Sequence, residues 1–479
     1  MKINKKLATV LAPLITTIPG VCALTTIATS CGGETPDSPD EIAKQSSVYY
    51  LEDNKVLSFE LKIADIANLC SETDQILEHT YTFSNGTSIE RKNLAGIVFG
   101  EQFLDVTSIP EENFCRYLFA FNTFATYTLE KDNQFKLDFR GLKNVTSVGN
   151  GFFNGMFLNC DTMTKIPSGF NIPENISVVS DGFVTNMFFG CKKLNSLGSE
   201  FNLPQNITTL GSRFALNMFG GCEELASLPT KFNLPQKVTE VSNAFASNIF
   251  SGCKALKSLP VNFNLPKDIE TVGNLFASGM FSGCETLTAM SIPTNFNLPI
   301  KITKIGNNFA REMFSGCENL TTLPMGFNIP KGIDSDVGDG FLNGMFMNCK
   351  GLISLPNEFN LPTSIIRAGE KFCENMFFGC TILFSLPDNF DFPTISTSLG
   401  DNFAYSMFSG CSNLQQPEFD PEAQYDLEAL NFPNPSGGRP FVNYAQYCFS
   451  GTSIYGGGLN PVWESPKAGN VYYIVRNNS

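Results

Sequence analysis

Histidine is all but missing from this chain: His79 is the single copy in 479 residues. Imidazole serves as general base or metal ligand beside matched partners. One copy outside any repeated block is poor material for catalysis and fits a loop or surface position. Positive charge is also short, with 32 Lys and Arg against 46 Asp and Glu and a formal net charge of −14. Phosphate binding needs a basic stripe, so nucleic acid is not an expected partner. No G-x-S-x-G, H-E-x-x-H or P-loop pattern occurs, which removes the familiar nucleophile elbow, zinc helix and phosphate cradle. Paired acids exist, but nothing marks one pair as catalytic. The chain therefore reads as a protein that is not an enzyme and needs no cofactor and no metal. Tryptophan occurs once and tyrosine 12 times, yet phenylalanine occurs 45 times. Something in the architecture calls for Phe repeatedly.

The first six residues, MKINKK, are basic, and residues 7–30 carry no charge and end Ala28-Thr29-Ser30-Cys31. A charged start, an apolar stretch and small residues before a cleavage point mark an export signal. Cys31 directly after them resembles the lipidated cysteine of a bacterial lipobox, although Ala28 stands where Leu is preferred. Loss of Lys2, Lys5 and Lys6 with this segment takes the charge from −14 to −17. Other readings stay open: cleavage at Cys22, plain secretion, or retention as a spanning anchor, against which Pro13 and Pro19 count. Residues 31–47 read as a flexible tether.

Aligning the chain on MFxGC exposes a repeat. Cysteines fall at Cys160, Cys191, Cys222, Cys253, Cys284, Cys317, Cys349, Cys380 and Cys411, spaced 31, 31, 31, 31, 33, 32, 31 and 31. Between them run SLPxxFNLP, as at Ser258 to Pro266, and ITxxGxxFA, as at Ile302 to Ala310. Copies at a fixed period indicate a solenoid, in which no unit buries its apolar face alone and stacking completes the core. Phe245, Ala246, Ile249, Phe250 and Cys253 fall at i, i+1, i+4, i+5 and i+8, which predicts one face of a short helix, closed by a left-handed Gly252. Phe263-Asn264-Leu265-Pro266 alternates as a half-buried strand does. Val238 to Val241 reads as a second, shorter extended segment. The predicted fold is thus a repeat solenoid of the leucine-rich-repeat type, α+β coils of short strand, turn, short strand and short helix. About nine regular 31-residue copies are flanked by degenerate capping copies.

In Cys253, Leu256, Phe263, Leu265, Pro266, Ile269, Val272, Gly273 and Phe276 the order resembles the BspA-like (treponemal-type) leucine-rich repeat. This chain inserts Leu259-Pro260-Val261-Asn262 before the strand and Ser278-Gly279-Met280-Phe281 in the predicted helix. The resemblance spans roughly residues 100–460 and is similar to the repeats of surface lipoproteins in wall-less bacteria. It implies export and a cell-surface role in attachment, but not a ligand, because the family is defined by core positions. Ser108 to Phe114, Val145 to Gly149 and Cys448 to Thr452 look like worn copies, the last with Thr452 in the Cys position. The expected organisation is a lipoprotein signal peptide (1–30), the tether (31–47), and an N-terminal cap with degenerate repeats (48–145). Leucine-rich-type repeats follow (146–420), then a C-terminal degenerate repeat and cap (421–479) carrying Trp463.

Three columns invite a functional reading. The repeat cysteines offer one thiol per coil, without the clustered ligands zinc requires. Small buried thiols are expected, with disulfides between neighbouring coils as the alternative; serine at such a site is expected to cost more than alanine, for want of a partner. Cys70, Cys115, Cys373 and Cys448 lie outside the column. The column Asn171, Asn202, Asn233, Asn264, Asn297, Asn328, Asn360 and Asp391 is either a structural amide ladder or a rail gripping an extended ligand such as a glycan. The residue after the Leu of CxxL varies, and Ile353 and Phe384 form an apolar step there, either exposed for contact or buried under the inserted turn. Candidate binding residues are therefore Asn233, Asn264, Asn297, Asn328, Asn360, Ile353 and Phe384, with Cys31 as the lipidation site. The expected function is a lipid-anchored adhesion or protein-binding scaffold outside the cell, held to the membrane by its N-terminal lipid and bound to a protein or glycan ligand. The alternative is a surface enzyme or solute-binding lipoprotein with activity in the terminal regions.

Overall fold

Residues 44–52, 55–69, 80–121, 136–166, 170–333, 336–387, 390–414, 427–431, 433, 445–452 and 471–475 are described by the computed structural model. His79, Cys22, Cys31, Cys70 and Trp463 lie outside the described residues, as does the predicted signal peptide. Ala43–Ser479 is one compact unit, and it is a β-solenoid whose turns recur at the cysteine spacing.

The N-terminal part is a sheet that starts the stack. Strands β1 (Ser47–Glu52) and β2 (Lys55–Glu60) pair antiparallel, a hairpin joins β3 (Thr80–Thr82) to β4 (Ser88–Glu90), and β5 (Leu94–Val98) pairs with β1. Two parallel ladders then begin. β7 (Lys136–Asp138) lies parallel to β5, while β6 (Ser108–Ile109), β8 (Ser147–Val148), β9 (Val178–Val179) and β10 (Thr209–Leu210) form a parallel sheet. Further on come β11 (Glu240–Val241) with β12 (Thr271–Val272), and β13 (Ser364–Ala368) with β14 (Thr394–Leu399), each pair parallel. β15 (Leu427–Asn431) and β16 (Val471–Val475) pair antiparallel.

The predicted short helix is absent, and a different backbone buries the same face. Phe245, Ala246, Ile249, Phe250 and Cys253 are all fully buried, yet Ala244, Ala246 and Asn248 have φ of +58°, +51° and +52°. Alternating left- and right-handed residues make a ribbon of turns. In a helix, each amide would bond within its own segment. Here the amides of Ala244, Asn248, Phe250 and Gly252 donate to the carbonyls of Asn274, Ser278, Met280 and Ser282 on the next turn, at 2.7, 2.7, 3.0 and 2.7 Å. Ala246 donates backward to Phe214 at 2.9 Å. A left-handed residue costs roughly 1–2 kcal/mol, and each hydrogen bond between turns returns about 1 kcal/mol. The periodicity was compatible with both backbones; the acceptors on the neighbouring turn select the ribbon. Gly252 is left-handed as expected, at φ +73°.

Phenylalanine fills the interior in three columns. Rings stack along each column, as in Phe219–Phe250–Phe281 (5.7 Å, 6°; 5.7 Å, 13°), Phe214–Phe245–Phe276 (5.5 Å, 14°; 5.8 Å, 10°) and Phe232–Phe263–Phe296 (6.2 Å, 11°; 6.1 Å, 9°). Edge-to-face contacts such as Phe250–Phe263 (5.7 Å, 64°) join two of the columns, the geometry aromatic quadrupoles prefer. The Phe excess is thereby explained. The 33-residue spacing is taken up at Ala289–Ser291, a single 3-10 turn closed by a capping box between Thr288 and Ser291. It leaves the core columns in step.

Both ends depart from the regular turn. The N-terminal part covers the first ribbon: Cys115 donates its amide to the Leu69 carbonyl at 3.1 Å, and the buried Arg91 reaches the Tyr117 carbonyl at 3.0 Å. At the other end, residues 445–452 form a last ribbon. Ser406, Phe408 and Gly410 donate to the Gln446, Cys448 and Ser450 carbonyls at 2.9, 2.8 and 2.7 Å, and Phe408 stacks on Phe449.

Candidate interaction surface

The asparagine column is built as a ladder. Asn264 Oδ1 accepts the amides of Leu265 (2.9 Å) and, on the next turn, Asn297 (3.2 Å), while its Nδ2 donates to the Asn295 carbonyl (2.8 Å). Asn233 does the same with Leu234, Asn264 and the Asn262 carbonyl. Asn297 Oδ1 accepts from the Asn328 amide, Asn328 Oδ1 from Asn360, and Asn360 Oδ1 from Asp391. The FNLP segment alternates in burial as a strand should, with Phe263 and Leu265 buried and Asn264 half-buried. It is nevertheless not a strand, because a side-chain oxygen replaces the backbone carbonyl as acceptor. Asp391 ends the described ladder, where an acceptor alone suffices: its Oδ1 takes the Phe392 amide at 2.8 Å.

A second ladder escaped the sequence reading. The Asn150, Asp181, Asn243, Asn274, Asn307 and Asp339 side chains each accept the amide of the equivalent residue one turn on, at 2.7 to 3.1 Å. The recurring Asn, Asp or Ser just after the ITxxG position was the available signal. Ion pairs also join neighbouring turns: Lys231–Glu200, Lys254–Glu223, Lys301–Asp268 and Lys350–Glu318, at 2.5, 3.2, 2.7 and 2.6 Å. All are exposed, and such pairs contribute about 0–1 kcal/mol each.

All nine repeat cysteines are buried and free, as are Cys115, Cys373 and Cys448. Each repeat thiol donates to a phenylalanine carbonyl of the preceding turn, for example Cys253 to Phe219 and Cys284 to Phe250, both at 3.2 Å. The expected penalty of Ser over Ala is thereby corrected: a hydroxyl at this position meets a carbonyl acceptor. Burial pushes the thiols of Cys253, Cys284, Cys317 and Cys349 upward from their ordinary pKa of 9.0. A raised thiol pKa stabilises the fold fully below the unfolded value, and that contribution is lost as pH climbs towards the folded value. Melting temperature is therefore expected to fall from about pH 9 upward. Alkylation of the repeat thiols should need denaturant at neutral pH. Rapid labelling of the native protein would contradict the buried column.

The apolar step is exposed. Ile353 and Phe384 are each 48% accessible, and the Phe384 amide bonds to the Ile353 carbonyl at 3.0 Å, so they sit on adjacent turns. Ile382, 38% accessible, lies on the same side of its segment as Phe384, with the buried Leu383 between them. The inserted LPxx turn does not cover these residues. Ile382 was missed because its own column is otherwise polar or small, as in Lys193, Glu224, Thr286 and Asn319. Among the described residues no three His, Cys, Asp or Glu converge where they could hold a metal ion.

Fold and surface together define a β-solenoid repeat protein with stacked aromatic and amide columns and an exposed apolar step. No family model matches the chain, and the comparisons with curated proteins and with solved structures found no match.

Proposed function

We propose that this protein is a lipid-anchored scaffold on the outer face of the cell membrane that binds a protein or glycan ligand through its solenoid. The exposed step of Ile353, Ile382 and Phe384 carries the reading. Equivalent positions elsewhere are polar or small, as in Thr164, Asn195, Thr288 and Thr321, so repeat packing does not require these apolar side chains. Apolar residues kept in water on adjacent turns mark a contact surface. The likeness to BspA-like repeats and the export signal ending at Cys31 support a surface location.

Two outcomes test this. A pull-down of surface and matrix components with residues 32–479 should retain partners that the double variant Ile353→Asp, Phe384→Ser loses while melting normally. Identical capture by both proteins would remove the step from the binding face. Cys31→Ser should abolish incorporation of labelled fatty acid and release the protein from membranes; unchanged labelling would refute the anchor.

A further inference from the structure

We infer that two copies of this chain pair through β2, antiparallel across a two-fold axis at Ser58, so that the sheets of both copies join into one. The inference goes beyond the scaffold reading and uses neither the apolar step nor the lipid anchor. β2 is an edge: among the described residues it pairs with β1 alone, and the sheet continues on the other side through β5 and β7. Leu61 donates its amide to the Ser46 carbonyl at 3.0 Å. In an antiparallel ladder mutually bonded pairs alternate with open ones, so from that rung Phe59, Leu57 and Lys55 bond to β1. Val56, Ser58 and Glu60 turn their amides and carbonyls outward.

Edge strands are normally blunted by proline, a bulge or a charge within the strand. β2 has none of these: its register on β1 is unbroken from Glu60 to Lys55, and Val56-Leu57-Ser58-Phe59 is uncharged. Leu57 and Ser58 are exposed, and Val56 and Phe59 are half-buried. Phe59 is held from within by Tyr50 and Phe83, with ring centroids 6.0 and 4.9 Å away. Its half-buried ring keeps one flank in water.

The strand's own pattern selects a second copy as the occupant. Outward residues must meet outward residues, and with Ser58 on the axis all of them do. Ser58 faces Ser58 of the other copy, and Val56 faces its Glu60. Leu57 then lies opposite Phe59 of the other copy in a non-hydrogen-bonded pair, where side chains approach to about 4.5–5.5 Å, and covers that flank. Lys55 and Glu60 close the strand with opposite signs. Antiparallel pairing brings Lys55 of one copy to the end where the other has Glu60, while parallel pairing sets like charges side by side. A two-fold pairing uses both edges and stops at two copies.

The test is sedimentation of the full chain in non-ionic detergent, together with cross-linking by oxidised glutathione. A dimer is expected, and Ser58→Pro should weaken it about tenfold or more. That variant removes an amide that β1 does not use, so the hairpin keeps its own bonds. Ser58→Cys should give a covalent dimer, since a bonded pair on the axis sets the Cα atoms about 5.5 Å apart. Leu57→Cys should not, because Leu57 of the other copy is a diagonal neighbour about 7–8 Å away. If Ser58→Pro fails to fold, the two cysteine variants decide. A monomer at every concentration tested, a dimer unaffected by Ser58→Pro, or equal cross-linking of Leu57→Cys and Ser58→Cys would each overturn the inference. Capture through Ile353 and Phe384 and labelling at Cys31 read other residues, so the readings fail separately.

Discussion

Replacing Phe263 by alanine is expected to lower stability by about 3–5 kcal/mol, the range for emptying a fully buried aromatic site. Phe263 is wholly inaccessible, stacks on Phe232 and Phe296, and meets Phe250 and Phe281 edge-on at 5.7 and 6.4 Å. The lost ring removes apolar burial and two kinds of aromatic contact together. Collapse into the hole is resisted, since the rings above and below are fixed by their own neighbours and by the inter-turn hydrogen bonds. Urea unfolding should show the loss in the midpoint, with the slope preserved if the turns still melt together. Amide exchange should quicken most in the turns next to the substitution, because a repeat array couples chiefly to its nearest neighbours. A loss below about 1 kcal/mol would mean that the column is loosely packed.

Asn264→Ala should cost about 2–4 kcal/mol, as two amides and one carbonyl lose their partner at once. The amides are those of Leu265 and Asn297, and the carbonyl is that of Asn295. Asn264→Asp keeps the acceptor oxygen for both amides but sets an acceptor against the Asn295 carbonyl in place of the Nδ2 donor. That side is exposed, so water relieves the clash and a loss smaller than with alanine is expected. Asp391 shows an aspartate in the acceptor role at the end of the described ladder. Equal destabilisation by Ala and Asp would mean that the donor, and not the acceptor, holds the turns in register. No destabilisation by either would return the column to the alternative of a ligand-gripping rail.

The contrast between these residues and the ribbon shows how far the sequence could be read. Phe263, Leu265 and Cys253 recur at one period and are apolar or small, so their burial followed from repetition alone. The asparagine ladder was one of two readings, since a half-buried amide in every copy suits a structural role or a binding rail. Residues 244–252 were misread because apolar spacing of i, i+1, i+4 and i+5 reports which side chains face inward, not the backbone that carries them. The alternation of Ala, Asn and Gly at left-handed positions, as in Gly340, Leu342, Gly344 and Asn348, is a weak mark when Ala and Leu also occupy them. Ile382 stood alone in its column, so periodicity gave it no weight.

By itself the sequence determined that this protein is a stack of 31-residue turns, which side chains form its interior, and that its thiols stand one to a turn. These properties belong to each repeat and to its period. Tertiary structure alone decided that the turns close through a ribbon and not a helix, that amide oxygens serve as rungs, and that Ile353 and Phe384 stay in water. The physical reason is one of distance along the chain. Every acceptor that settles these points lies about thirty residues away, on the neighbouring turn, and takes its place only when the stack forms.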